Sequence, residues 1–340
     1  MSNQWKRELA KAFKDPQELL AYLQIDPQAE SKVAGKPLLS KSNFPMLVPQ
    51  HFAELMEKGN IDDPLLLQVL PFSHELVQDP EFVLQPLDEQ DNFIPVKNIV
   101  HKYQDRMLFL PKGGCAVNCR YCFRRNFPYD ELGSSKEQWQ EALDYAYKQN
   151  ISELILSGGD PLMMNDKEFT WLSEQIISRN LTANPKVDRL RIHSRLPVVL
   201  PARINEQFLA TCQSLAEAGV KVIWVSHINH PQEISLTLQE KFKLLQQAGV
   251  VLLNQSVLLR GVNDSVEVLE ALSRKLFAHG VLPYYLHLLD KVEGSTHFYL
   301  NDTQALALYA QLQEQTSGYL VPKLAREEVG NKHKTLYTSN

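Results

Sequence analysis

The sequence predicts an α/β fold: a partial (β/α)6 barrel with an α-helical N-terminal extension and a C-terminal segment that folds back over the barrel mouth. From Arg106 onward, short β-branched or leucine-rich runs alternate with amphipathic stretches of helical length, as expected of a parallel sheet with right-handed crossovers. Helical stretches run into Gly219, Gly249 and Gly280, where a residue tolerant of positive φ can end a helix. Polar residues gather just after each strand-like run, the place where such barrels bind ligands.

Taken in order, residues 1–100 form the extension, 101–300 the barrel and 301–340 the closing segment. The extension mixes helical patterns over 5–13 and 16–23 with proline-punctuated polar loops. The strand-like runs are 106–110, 153–157, 187–193, 220–226, 250–256 and 281–288. Between them, residues 166–179, 204–218, 232–247 and 264–279 place apolar side chains near a 3.6-residue period. The strand ends read Lys112-Gly-Gly-Cys115, Ser157-Gly-Gly-Asp160, His193-Ser-Arg195, His227, Gln255 and Asp290. The tail from Pro322 is polar, lysine-rich and weakly periodic.

A chain of 340 residues with 44% hydrophobic content can bury one large core. Its formal net charge of -5 provides no general basic field for nucleic acid or anionic membrane, so neither partner is expected. No secretory signal is seen over residues 1–20, and no stretch approaches the roughly 20 apolar residues of a membrane span. A soluble, cytoplasmic protein is expected. Four cysteines, three of them between Cys115 and Cys122, are too few and too clustered for a disulfide framework and suit a metal site in a reducing compartment. Cys212 stands apart and reads as a buried structural thiol.

Cys115-Ala-Val-Asn-Cys119-Arg-Tyr-Cys122 is a C-x3-C-x2-C loop after the first strand. Three thiolates can hold three corners of an iron–sulfur cubane, whereas an all-protein cluster takes four cysteines; the missing ligand leaves one iron open. A zinc site would need a fourth ligand, with His101 or Cys212 available in the sequence. Ser157-Gly158-Gly159-Asp160-Pro161 follows the second strand. Alone it reads as a turn, although its glycines also permit close backbone approach.

The cysteine motif after a first barrel strand resembles the signature of radical S-adenosylmethionine (SAM) enzymes. The resemblance implies a [4Fe–4S] cluster on Cys115, Cys119 and Cys122, with SAM chelated by the open iron. It also implies SAM contacts from Ser157, Gly158, Gly159, Asp160, His227 and Gln255.

Longer blocks narrow it: His101–Arg106, Cys115–Arg125, Ser157–Leu162, His227-Ile-Asn-His-Pro231, residues 254–264, Pro283-Tyr-Tyr285 and residues 317–322. Together they resemble the lysine 2,3-aminomutase family from about residue 90 to the C-terminus. Within it the compact length, the extension and Leu324-Ala-Arg-Glu327 are most similar to the bacterial enzymes that make (R)-β-lysine for modification of elongation factor P.

That resemblance implies pyridoxal 5′-phosphate (PLP) as a second cofactor, held by Lys334, with Lys332 as a rival because the preceding segment is poorer in glycine than in the family. Tyr103 and Arg106 are implied as PLP contacts. Arg124 is implied to bind the carboxylate of L-lysine, and Asp290 and Glu327 its ε-ammonium. A cation at one end and acids at the other match free lysine and disfavour glutamate. Further implications are a reductant such as flavodoxin or ferredoxin, and a functional link to elongation factor P and its lysyl-tRNA-synthetase-like ligase. The competing readings are a radical SAM aminomutase acting on another amino acid, and a non-catalytic metal-cluster-binding protein.

Overall fold

A computed structural model describes residues 4–39, 44–87, 93–129, 132–133, 135–184 and 186–338. The six strand-like runs become β2 (Arg106–Lys112), β3 (Glu153–Gly158), β4 (Arg189–Ser194), β5 (Lys221–His227), β6 (Val251–Val257) and β7 (Leu282–His287). A short β1 (Ile99–Val100) precedes them, and β8 (Lys323–Arg326) and β9 (Thr335–Leu336) follow. Neighbours in the sheet follow chain order from β1 to β9. Pairing is parallel from β2 to β8 and antiparallel at the two edges.

Local chemistry explains the helices between the strands. Among the described residues, each of the six long ones starts at a Ser or Asn whose side chain accepts a backbone N–H of the first turn: Ser135, Asn165, Asn205, Ser235, Ser265 and Asn301. Three end alike. Gly219, Gly249 and Gly280 have φ of +82°, +78° and +72°. The valine after each glycine donates its N–H back to Leu215, Leu245 or Leu276, at 2.9, 3.0 and 3.0 Å, which completes a Schellman motif. Val220, Val250 and Val281 are therefore buried helix-closing residues. The strands after them begin one residue later than the apolar runs suggest.

The sheet has two characters because side chains alternate faces. One face, with Met107, Phe109, Leu154, Leu156, Leu190 and Ile192, is buried in the main core. Trp5, Leu19, Phe52 and Phe72 of the extension join the same core. The other face carries Lys112, Ser157, Arg191, His193, His227, Gln255 and His287. A flat sheet would set β8 about 29 Å from β2, six spacings of about 4.8 Å. Yet Glu327, just past β8, hydrogen-bonds Lys102 and Tyr103, just before β2. The sheet therefore curls into a trough with the polar face inside, without β1 and β9 pairing.

Two local expectations are corrected. The first helix spans Gln4–Leu9, because Phe13 instead pairs with Val48 in an isolated bridge. The weakly periodic tail supplies β8, which has no β-branched residue and is a strand because β7 offers it an edge. No helix among the described residues is long and apolar enough to cross a membrane.

Candidate active site

The cysteine loop leaves the end of β2 and is fixed from two sides. On one side, Gly159 N donates to Lys112 O and Asp160 N to Gly114 O, both at 2.9 Å. A Cβ on Gly159 would overlap the Gly113 and Gly114 backbone, and Gly158 has φ of +113°. These glycines thus allow two loops to touch backbone to backbone. The Asp160 carboxylate accepts from Leu162 N (2.9 Å), Ser194 Oγ (2.7 Å), Arg195 N (2.9 Å) and Leu196 N (2.8 Å). It ties β3's loop to β4's, and its lone pairs are occupied within the protein.

On the other side stands the N-terminal extension. Arg120 N donates to Gln68 O at 2.9 Å. The fully buried Arg120 guanidinium forms a two-pronged pair with Glu75, with Nε to Oε1 at 2.7 Å and Nη2 to Oε2. Glu75→Ala would remove the carboxylate that this buried guanidinium grips with two nitrogens, and breaking a buried pair from one side costs about 3–5 kcal/mol. The variant should show that loss as a lowered denaturant midpoint, and the loop should lose its anchor.

Burial and mutual repulsion push the Cys115 thiol well up, and Cys122 up to about 11. Each pKa responds to the neighbouring cysteines, so the three thiols share one environment. Among the described residues, however, no three His, Cys, Asp or Glu groups converge on a single metal ion. Bound iron would reverse the burial penalty by drawing off the protons. Neither proposed fourth zinc ligand approaches. His101 Nδ1 bonds Tyr145 Oη at 3.0 Å, and Cys212 is fully buried on the helix Glu206–Glu217.

Sequence reasoning gave no role to the most connected group beside these thiols. Arg195 Nη1 donates to Cys119 Sγ (2.8 Å) and Tyr121 Oη (2.7 Å), and Nη2 to Gln68 Oε1 (2.7 Å) and Glu233 Oε2 (2.9 Å). Tyr121 stacks on His227 and hydrogen-bonds its Nε2 at 2.9 Å. Burial holds His227 neutral, its pKa well below the usual range. Gln255 lies beside His227 in the ladder. The position of Arg195 at a strand end was the available signal.

Further along the trough lies a second cluster. Glu327 accepts from Lys102, from Lys334 Nζ at 2.6 Å and from Tyr103 Oη at 3.2 Å. Arg106 stacks over the Tyr103 ring at 3.9 Å. Lys334 also sits 5.9 Å from the Tyr285 ring. Across from it, burial and nearby cations, Arg191, Lys334 and Arg124 among them, drive His193 far below its usual pKa. Burial and Lys334 bring His287 to about 3. His193 Nε2 and Arg191 Nε are buried without a partner, and orphaned polar atoms among cations fit an absent anionic group. Arg124 Nη1 donates to Ser157 Oγ at 3.0 Å, joining the substrate-carboxylate candidate to a candidate SAM contact. Asp290 follows β7 three residues on. Lys332 is exposed.

Comparison with known proteins accords with this geometry. Residues 110–272 match the family model described as the radical SAM superfamily. The chain is 50% identical to an L-lysine 2,3-aminomutase of Haemophilus influenzae over 98% of this chain and 95% of that protein. It is 49% identical to one of Escherichia coli, covering 97% and 93%. One from Clostridium subterminale is 33% identical, over 98% of this chain and 77% of its own longer sequence. The chain belongs to the L-lysine 2,3-aminomutase family of isomerases, within the radical SAM superfamily.

Proposed function

We propose that this protein interconverts L-α-lysine and (R)-β-lysine, using a [4Fe–4S] cluster, SAM and PLP, and that its product serves the modification of elongation factor P. The observation that carries this reading is that three cysteines follow the end of β2, while Tyr103 and Arg106 stand at its start with Glu327 and Lys334 gathered beside Tyr103. Near-complete coverage by relatives named L-lysine 2,3-aminomutase supports it. When bound, the cluster and SAM supply a carbon-centred radical, and PLP supplies a conjugated π system across which an amino nitrogen can pass between neighbouring carbons.

The chain's own residues bind and orient. Cys115, Cys119 and Cys122 take three irons. The Ser157–Asp160 segment serves SAM through backbone groups, because Asp160's carboxylate is already occupied. His227 and Gln255 complete that side. Lys334 holds PLP, with Tyr103 and Arg106 beside it. Arg124 receives the substrate carboxylate, and Asp290 and Glu327 the ε-ammonium. Electrons come from a flavodoxin or ferredoxin, and the protein works in the cytoplasm alongside the lysyl-tRNA-synthetase-like ligase.

The direct test is anaerobic incubation of reconstituted protein with SAM, PLP, reductant and labelled lysine. Labelled β-lysine is the expected product, and its absence despite SAM cleavage would refute the substrate assignment. Asp290→Asn should raise the KM for lysine about 10- to 100-fold, since a hydrogen bond between charged groups is worth about 1.5–3 kcal/mol. An unchanged KM would remove Asp290 from the pocket. Elongation factor P from cells lacking this protein should lack the mass of a β-lysyl group.

A further inference from the structure

We propose that Arg195 is a positioning residue that tunes the cluster, its guanidinium stabilising the reduced state through a charged hydrogen bond to the Cys119 sulfur. This rests on the reading that Cys119 is a cluster ligand. The guanidinium is buried, and Nη1 lies 2.8 Å from Cys119 Sγ. Hydrogen bonds to cluster sulfurs help set reduction potentials. One-electron reduction by the flavodoxin or ferredoxin adds one negative charge to the cluster and moves no proton, so a fixed N–H donor on a ligating sulfur favours the product of that step. The bond is charge-assisted and shielded from water, which strengthens it.

The surroundings fix both the aim and the strength of this donor. Nη2 is held by Gln68 Oε1 at 2.7 Å and by Glu233 Oε2 at 2.9 Å. Glu233 is fully buried and also accepts the backbone N–H groups of Asn229 (2.9 Å) and His230 (3.0 Å), so the carboxylate cannot swing away. The guanidinium also lies over the Phe52 ring, at 5.3 Å. Two of these braces, Gln68 and Phe52, come from the N-terminal extension, which thereby reaches the cluster's electronics. Glu233 offsets most of the arginine's charge, leaving the oriented N–H as the main influence on Cys119. The two residues should therefore act in opposite directions. Removing Arg195 makes reduction harder, and removing the Glu233 charge makes it easier.

The test is spectroelectrochemical titration of the reconstituted cluster in the parent protein, Arg195→Gln and Glu233→Gln, with iron and sulfide counted in each. Arg195→Gln should shift the one-electron reduction equilibrium about tenfold toward the oxidised cluster, a potential lower by 59 mV. Glu233→Gln, whose amide oxygen can still accept from Asn229 and His230, should shift it the other way. If Arg195→Gln assembles no cluster, the sign of the Glu233→Gln shift decides. A potential unchanged in Glu233→Gln, or moved in the same direction in both variants, overturns the proposal. A parent protein that assembles no cluster overturns instead the reading of the three cysteines.

Discussion

Cys115→Ala is expected to abolish the oxygen-sensitive brown chromophore and, with it, cleavage of SAM. Without the cluster no route remains for an electron to reach SAM, and the reaction should fall toward its uncatalysed rate, a loss of at least about a millionfold. Cys119→Ala and Cys122→Ala should do the same, because both thiols contribute to the raised pKa of Cys115 and so share its surroundings. The barrel should survive, since its buried face is built mainly from strands and helices, to which the loop adds only Ala116, Val117 and Tyr121. Cys212→Ala reverses the pattern. That thiol is fully buried, with its pKa pushed up to about 12 by burial. Its loss should cost about 1 kcal/mol of stability for the missing packing and leave iron content untouched. A Cys115→Ala protein that still carried a full cluster and cleaved SAM would refute the assignment.

Much of this architecture was legible because it is written in local chemistry. A leucine, then a glycine four residues on, then a valine marks three helix ends, and the Schellman geometry needs little more. The cysteine loop is equally local, with all three thiols within eight residues. What could not be read are the polar pairs that join distant segments. Gln68 meets Arg195 across 127 positions, and Arg120 meets Glu75 across 45. Such pairs leave no periodicity, and each partner alone resembles an ordinary surface residue. The four-residue strand β8 was hidden for a related reason, since its identity comes from the edge it joins. The role of Asp160 was hidden too: its motif signals a ligand loop, whereas its carboxylate binds the protein's own backbone.

The tail shows how far a local reading can fail. By composition Lys334 would be a solvated residue near a chain end. In the structure it lies inside the trough, its ammonium 2.6 Å from Glu327 Oε2. The contact arises because β8 is followed by a tight return at Gly330, with φ of +84°, that brings Thr335 opposite Arg326 in β9. Glu327 is shared with Lys102, and its carboxyl is held below the usual range by these two lysines despite its burial.

Lys334→Ala is therefore expected to have two separable consequences. Borohydride treatment of the parent protein loaded with PLP should leave a pyridoxyl group on the peptide containing Lys334, detectable by proteolysis and mass spectrometry. The variant should lose both that adduct and lysine isomerisation, the latter to below about one part in a thousand, as a covalent attachment point cannot be replaced by a neighbour. Cluster content and uncoupled SAM cleavage should persist, because the cysteines lie on a different loop, the one that follows β2. Lys102 would still neutralise Glu327, so the tail should keep its fold. An adduct on Lys332 instead would shift the register of the Gly330–His333 turn by two residues. An adduct on neither lysine would leave the radical SAM half of the site in place and remove PLP from the proposed reaction.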